Sequence, residues 1–153
     1  MMVDLPRFGA TLDAASQVGL PVWVGFSVGP ELGHDVELLD DDIELRDGGR
    51  LADAVAVAAA NESVDALCTM HTDVRLAERC VEAIRADWTG PLGVYAHAAG
   101  TIDGEFTHDG VIEPDEYVAL VPGWRRAGAT MVGGCCGIGP DHLRLVAEEI
   151  AQA

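Results

Sequence analysis

The chain alternates short apolar runs with longer amphipathic stretches, and this alternation limits the possible folds more than any other feature. Apolar runs rich in β-branched and aromatic residues are typical of buried strands, and the stretches between them are typical of helices. Strands are predicted at 21–27, 64–68, 92–96 and 129–134, and helices at 51–61, 73–88, 114–127 and 140–151, after a helix tail at 12–18. Strands that alternate with helices pair in parallel through helical crossovers. The sequence therefore predicts an α/β fold of four parallel βα units.

Three of the predicted helices begin at residues that favour helix starts. Pro114 and Pro140 occupy first helical positions, where the fixed φ of proline and its missing N–H are tolerated. Thr72 or Asp73 is expected to cap the helix that follows the second strand. Because no linker or sequence repeat divides the chain, residues 1–153 are predicted to form one domain.

The charge of the chain argues against two classes of partner. Nine Arg and no Lys stand against 26 acidic residues, which gives a net charge of −17. Such a surface repels nucleic-acid phosphates and anionic lipid headgroups. The apolar runs are too short to span a bilayer, and the N-terminus lacks the features of a secretory signal. The sequence therefore predicts a cytoplasmic protein with no nucleic-acid and no membrane partner.

The sharpest chemical feature is the pair Cys135-Cys136, which lies between Gly133-Gly134 and Gly137 after the last predicted strand. Adjacent cysteines do not readily pair with each other because the ring they would close is strained, and cytoplasmic thiols are kept reduced. The glycines allow a sharp turn, so that both sulfurs can face one point. Two thiolates that converge on a soft metal ion are one interpretation. Two small buried residues in a glycine-rich turn are the alternative.

A third sulfur is expected at the end of another strand. Cys68 closes the second predicted strand, and the C-terminal ends of the strands in a parallel barrel share the face that holds the active site. Cys68, Cys135 and Cys136 would leave one position open on a zinc ion, as in catalytic zinc sites. His71 is a rival ligand, or else a loop or capping residue. Cys80 falls in the middle of a helix and is predicted to be a small buried side chain.

The string GGCCGIGPDHL, with Cys68 upstream and VYAHAAG between them, resembles the C-terminal half of the zinc-dependent homocysteine S-methyltransferase family. This family includes the homocysteine-binding domain of cobalamin-dependent methionine synthase and betaine–homocysteine methyltransferase. Residues 21–27 resemble the fifth strand of the family's barrel, 47–51 the turn before the next helix, and 124–136 the approach to the last strand. The resemblance covers nearly the whole chain.

The resemblance implies the C-terminal half of a (β/α)8 TIM barrel, in which Cys68, Cys135 and Cys136 bind Zn²⁺ and the substrate thiol takes the open position. Zinc lowers the pKa of a bound thiol, so that a thiolate can attack a methyl group at neutral pH. The implied reaction moves a methyl group from an unidentified donor to a small-molecule thiol such as homocysteine, which gives methionine and belongs to methionine biosynthesis. Three thiolate ligands would leave the bound substrate sulfur electron-rich and therefore nucleophilic.

Two departures from the family lie near the expected substrate pocket. The family usually has Asn before its first cysteine, where this chain has Leu67, and an Asn-Ala-Gly turn after the seventh strand, where this chain reads AHAAG. His97 in that turn is therefore a candidate substrate-binding residue, a fourth metal ligand or a loop histidine. His142, in the first turn of the last helix, is expected to face solvent.

The first four βα units of the family have no counterpart in this sequence. Four strands alone would leave two edges and one sheet face uncovered, and Trp23, Phe26, Val94 and Met131 are candidates for that face. A homodimer or a complex with a separate N-terminal half-barrel chain is therefore expected. Three functions stay open: a homocysteine S-methyltransferase or half of one, a methyltransferase for another thiol, and a non-catalytic zinc-binding half-barrel module or truncated pseudo-enzyme.

Overall fold

The computed structural model describes residues 2, 4–29, 43–98, 100–102, 105–107 and 111–152. The helices are α1 (Leu5–Ser16), α2 (Leu51–Ala59), α3 (Val74–Arg85), α4 (Pro114–Ala127) and α5 (Pro140–Gln152). The strands are β1 (Val22–Phe26), β2 (Val64–Asp73), β3 (Leu92–His97), β4 (Gly100–Ile102), β5 (Glu105–Thr107) and β6 (Met131–Val132).

The main sheet has four parallel strands in the order β1-β2-β3-β6. This order follows the chain, and a helix crosses over between each pair of neighbours, so the predicted succession of four parallel βα units is confirmed. Strands β4 and β5 form a small antiparallel pair within a stretch that the sequence predicts as a loop. The acidic stretch 40–42, which falls in the loop between the first predicted strand and the next predicted helix, lies outside the described residues.

Strand β2 is longer than the sequence predicts. The apolar pattern ends at Cys68, but the strand continues to Asp73 because β3 pairs with it as far as that residue. Cys68 therefore lies in the middle of a strand, with Gly25 of β1 and Gly93 of β3 as its neighbours in register. The C-terminal end of β2, where a functional side chain is expected, lies three to five residues after Cys68.

The helices cover one face of the sheet. The ring of Phe26 packs edge-on against Phe8 of α1, with centroids 5.5 Å apart, and Val94 of the central strand β3 is fully buried. Phe26 therefore faces the helices. Trp23, on the alternate side of β1, is 58% exposed, and Met131 is partly exposed. Of the four candidates for an uncovered face, Trp23 is the one that the structure leaves most open.

The helix starts follow the local sequence signals. Pro114 and Pro140 begin α4 and α5, and Asp73 caps α3 by accepting a hydrogen bond from the backbone N–H of Arg75 at 2.8 Å. Within the described part of the chain, none of the helices is long and apolar enough to cross a membrane.

Candidate metal centre

A bulge near the end of β2 changes the direction in which His71 points. Met70 pairs with Tyr95 and Asp73 with His97, so three steps along β2 match two steps along β3. His71 lies in the bulge with a φ of 52°, and it is the only described residue other than glycine with a positive φ. A bulge of this kind inserts a residue and re-aims its side chain. The imidazole consequently points toward the end of β6.

The two adjacent cysteines lie in a tight turn that continues the pairing of β3 with β6. The backbone N–H of Cys135 donates to the carbonyl of Ala96 at 2.9 Å, and the N–H of Ala98 donates to the carbonyl of Cys136 at 3.0 Å. A Cβ at Gly134 would collide with the side chain of Ile138. The glycine before the cysteines therefore lets the turn close tightly enough to present both sulfurs.

His71, Cys135 and Cys136 bring three metal-binding atoms together. The Nδ1 atom of His71 lies 3.5 Å from each sulfur, and the two sulfurs lie 3.7 Å apart. Among the described residues this is the one group of at least three potential ligands whose atoms all lie within 4.8 Å of one another.

The structure does not bring Cys68 into this group. Cys68 lies in mid-strand, and its sulfur would be 2.8 Å from a Cβ placed at Gly93. Burial raises the pKa of its thiol. The predicted strand ends at Cys68, whereas β2 continues to Asp73 and places His71, not Cys68, beside the two cysteines. That Cys68 binds the metal, as the family resemblance implies, stays a prediction. Cys80 is buried within α3, as the sequence predicts, and burial raises the pKa of its thiol to about 12.

His97 lies at the end of β3, between the strand that carries His71 and the turn that carries the cysteines. Its side chain is 3% exposed, and its ring centroid lies 4.9 Å from that of His71. Burial, with a further contribution from the neighbouring His71, lowers the pKa of His97 to about 4. Its Nδ1 atom is buried without a hydrogen-bond partner. A neutral, unpartnered imidazole nitrogen beside the cluster is available to a bound molecule.

The electrostatics of the cluster favour a neutral His71 imidazole and oppose ionisation of the Cys136 thiol. Burial lowers the pKa of His71, and the charge of Arg46 adds to this effect. Burial raises the pKa of the Cys136 thiol, and the neighbouring Cys135 raises it further. A neutral imidazole keeps a lone pair for a metal, and a metal cation close to the Cys136 sulfur would favour its thiolate. The donor set therefore fits a divalent ion of intermediate softness such as zinc.

His142 is buried, although the sequence predicts that it faces solvent. The N–H of Gly139 donates to its Nδ1 at 3.2 Å, and its Nε2 lies 2.9 Å from the carbonyl oxygen of Ile112. Because Nδ1 accepts, Nε2 carries the proton and donates to Ile112. Nearby, the hydroxyl of Tyr117 donates to the carbonyl of Gly133 at 2.7 Å. These contacts fix both ends of the cysteine turn.

The position of His71 near the end of β2 had a signal in the sequence that the apolar pattern did not show. Asp73 is recognisable as a helix cap, and the residues directly before a cap that follows a strand lie at the strand's C-terminal end. The strand's end could therefore have been placed near His71 rather than at Cys68. Arg46, whose Nη2 donates to the carbonyl of His71 at 2.9 Å, is visible in the sequence only as part of a turn.

Comparison with known proteins identifies relatives of this chain. A family model described as homocysteine S-methyltransferase matches residues 1–150. Homocysteine S-methyltransferase 4 of Zea mays is 27% identical over 140 residues, which cover 89% of this chain and 38% of the maize protein. Selenocysteine Se-methyltransferase of Brassica oleracea is 26% identical over 115 residues, which cover 73% of this chain and 33% of that protein. The chain thus spans less than half the length of these curated relatives.

In the solved structures that it resembles, this chain likewise matches less than half of the other chain. The metallated form of the homocysteine methyltransferase MmuM from Escherichia coli superposes with a TM-score of 0.68 at 22% identity, over 96% of this chain and 42% of that chain. Its apo form gives a TM-score of 0.70 at 20% identity, over 96% of this chain and 47% of that chain. At such identities the likeness shows the fold. The predicted α/β half barrel with four parallel strands is confirmed.

Proposed function

The chain belongs to the homocysteine S-methyltransferase family, and from this membership we propose that it carries the metal-binding part of a site that activates a small thiol for methyl transfer. The proposed substrates are amino-acid thiols, with homocysteine first, because the relatives are named for homocysteine. The corresponding selenols belong to the same class, since one relative is named for selenocysteine. With homocysteine the product is methionine.

The observation that supports this proposal most directly is the spacing of the three ligand atoms. Zinc bonds of about 2.3 Å to sulfur and about 2.0–2.1 Å to nitrogen, arranged as a tetrahedron, require sulfur–sulfur edges of about 3.8 Å and nitrogen–sulfur edges of about 3.5–3.6 Å. The sulfurs of Cys135 and Cys136 are 3.7 Å apart, and each lies 3.5 Å from the Nδ1 of His71. The three side chains would therefore hold the ion with almost no movement. Three protein ligands leave the fourth position for the substrate.

A bound zinc ion would lower the pKa of the substrate thiol, so that the thiol would be ionised near neutral pH. In the transfer, the sulfur of the thiolate forms a bond to the methyl carbon while the bond from that carbon to the donor breaks, and the donor leaves with the electron pair. The residues of this chain hold the thiol in place for this displacement. A neutral His71 contributes no charge, so the ligand set carries two negative charges rather than the three expected with Cys68.

We propose that His97 contacts the substrate. Its Nδ1 is buried without a partner, and in the tautomer that carries the ring proton on Nε2 this atom is an acceptor. Nδ1 therefore carries a lone pair that can accept a hydrogen bond from the ammonium group of an amino-acid thiol. A buried Nδ1 without a hydrogen-bond partner destabilises the protein. A hydrogen bond from the substrate would offset this destabilisation.

We further propose that a second half barrel, from a homodimer or from a separate polypeptide, covers the face of the sheet that carries Trp23. We expect the assembled protein to work in the cytoplasm, where reducing conditions keep Cys135 and Cys136 as thiols.

The experiment uses cobalt(II) as a coloured substitute for zinc. Homocysteine added to the cobalt-loaded protein is expected to change the visible absorption and to strengthen the sulfur-to-cobalt charge-transfer band, because a third sulfur joins the metal. Methionine, which has no thiol, is the matched control and is expected to change neither. A spectrum that homocysteine leaves unchanged would contradict the proposal and favour a non-catalytic metal-binding module.

A further inference from the structure

The cysteine turn, residues 133–139, starts at a glycine that both layers of the fold hold. The backbone N–H of Gly133 donates to the carbonyl of Val94 in β3 at 2.8 Å, and its carbonyl accepts a hydrogen bond from the hydroxyl of Tyr117 in α4 at 2.7 Å. Because β6 ends at Val132, Gly133 is the point at which the chain leaves the strand. One bond to the sheet and one bond to a helix therefore set the direction in which the turn begins.

The other end of the turn is held by His142 of α5. The backbone N–H of Gly139 donates to Nδ1 of His142 at 3.2 Å, and Nε2 of His142 lies 2.9 Å from the carbonyl oxygen of Ile112. Both ring nitrogens are therefore occupied, one by the turn and one by the segment that precedes α4. His142 thus connects the end of the turn to α4 as well as to α5.

The two supports also contact each other. The ring centroids of Tyr117 and His142 lie 5.7 Å apart at an interplanar angle of 83°, and Tyr117 also packs edge-on against Trp124 at 5.2 Å. Edge-to-face contacts between rings are favourable and depend on orientation. Tyr117 is fully buried, so its ring cannot turn away without disturbing its neighbours. The supports at the two ends of the turn consequently form one packed unit.

The composition of the turn explains why it needs support from outside. Four of its seven residues are glycine, and glycine has more accessible backbone conformations than any other residue. In a regular strand, adjacent side chains point to opposite faces, whereas the sulfurs of Cys135 and Cys136 lie 3.7 Å apart. The sulfurs therefore converge only in particular conformations of a segment that could adopt many.

We propose that Tyr117 and His142 are positioning residues that hold the two ends of the cysteine turn and thereby keep the sulfurs of Cys135 and Cys136 directed at one metal ion. The inference rests on the proposed function, because it takes the two cysteines to be metal ligands. It does not depend on which residue supplies the third ligand. Without these contacts the turn would adopt other conformations for part of the time. Because only molecules with converging sulfurs bind tightly, the apparent metal affinity would fall in proportion to their fraction.

The test measures cobalt(II) affinity by competition with a chelator, together with the visible spectrum at saturation. Tyr117→Phe removes one hydroxyl and keeps the ring that packs against His142. Changes to residues that support metal ligands typically lower affinity about 10–100-fold, and we expect a loss near the lower end of this range. The sulfur-to-cobalt charge-transfer band is expected to weaken, which a loss of global stability in a folded protein would not cause.

Two variants of His142 test the other end of the turn. The amide of His142→Asn can replace Nδ1, which accepts from Gly139, whereas the amide of His142→Gln can replace Nε2, which donates to Ile112. If His142 acts by holding the turn, the cobalt affinity of His142→Asn stays closer to that of the wild type. Equal losses, or a greater loss in His142→Asn, would overturn this role. The pair also keeps the test valid if Tyr117→Phe does not fold.

Tyr95→Phe is the matched control, because it removes the same group from a ring against the same glycine. A Cβ at Gly133 would lie 2.5 Å from the Tyr95 ring, but the hydroxyl that donates to Gly133 is that of Tyr117. Loss of the Tyr95 hydroxyl is expected to leave cobalt affinity and the spectrum unchanged. Thermal unfolding of each variant in the presence of a chelator identifies losses of affinity that come from loss of structure.

Cys135→Ala separates failure of this inference from failure of the proposed function. A folded Tyr117→Phe protein that binds cobalt as tightly as the wild type, with an unchanged spectrum, would overturn the positioning role of Tyr117 even if Cys135→Ala weakens binding. If Cys135→Ala itself leaves binding unchanged, the cysteine pair does not hold the metal, and the proposed metal centre fails together with this inference.

Discussion

At the scale of single residues, two neighbouring histidines have different proposed tasks because their surroundings differ. His71 lies against two thiols with its Nδ1 directed at them, whereas the Nδ1 of His97 is buried without a partner. The pKa of both is lowered by burial, and the pKa of His97 falls to about 4. Both rings are therefore neutral at physiological pH, and each can offer a nitrogen lone pair.

The low pKa of His97 predicts how stability depends on pH. In the unfolded chain a histidine has a pKa of about 6.5. Below this pH the unfolded state therefore binds a proton that the folded state does not bind. The contribution of neutral His97 to stability is fully present above about pH 6.5 and is lost as the pH falls toward 4. This loss lowers the free energy of unfolding by up to about 3 kcal/mol. Urea unfolding in the presence of a chelator, at several pH values, measures this slope.

His97→Gln is the comparison variant for the pH series. It keeps a polar side chain of similar size and cannot gain a proton, so its stability is expected to change much less between pH 6.5 and pH 4. Equal slopes for the variant and the wild type would mean that His97 is not the group responsible.

At the scale of elements, the turn between β6 and α5 is the least tolerant of added atoms. A Cβ at Gly133 would lie 2.5 Å from the ring of Tyr95, and one at Gly134 would overlap Ile138. Gly139, in the same turn, has nothing within 4 Å of such a Cβ. Of these three glycines, two exclude a side chain and one accepts it.

We expect Gly133→Ala and Gly134→Ala to lower the free energy of unfolding by about 1–3 kcal/mol, as overpacked sites do, and to weaken metal binding because Cys135 and Cys136 move. Gly139→Ala is expected to leave both nearly unchanged. Urea unfolding and chelator competition on the three proteins provide the comparison. Similar behaviour of all three would show that the close contacts at 133 and 134 do not set the geometry of the turn.

The same elements show what local sequence can predict. The parallel βα succession is visible because each strand is an apolar run and each helix has a local start signal such as Pro114 or Pro140. The apolar pattern does not show the end of β2, since Met70 and His71 lack a strand pattern. The local signal for that end is the helix cap at Asp73, and pairing with β3 extends the strand to it. The cysteine pair could be recognised from its own motif, but the approach of His71 to that pair depends on a bulge that only tertiary contacts define.

At the scale of the whole molecule, an open sheet face and a large net charge have opposite effects on assembly. Trp23 is 58% exposed on the face of the sheet opposite the helices, and burial of a large apolar side chain contributes about 1.5–3 kcal/mol. The charge of −17 per chain opposes self-association at low ionic strength, and added salt screens that repulsion.

We therefore expect association to strengthen as salt is added, as measured by sedimentation over a range of ionic strengths. Trp23→Ser is expected to weaken it, whereas Leu143→Ser, which changes an exposed apolar residue on α5, is expected to have little effect. A folded monomer at every concentration and salt level would contradict the proposal that a second half barrel covers this face in a homodimer, and would leave a separate polypeptide as its partner.

Zinc affinity in five alanine variants shows whether His71, Cys135 and Cys136 form the proposed metal centre. Replacement of residue 71, 135 or 136 removes a proposed ligand and is expected to weaken binding by more than about 100-fold, beyond the usual effect of residues that only support a ligand. Cys68→Ala and Cys80→Ala are expected to bind zinc as the wild type does, because both sulfurs are buried in other places. A large loss of affinity in Cys68→Ala, together with unchanged binding in His71→Ala, would contradict this account.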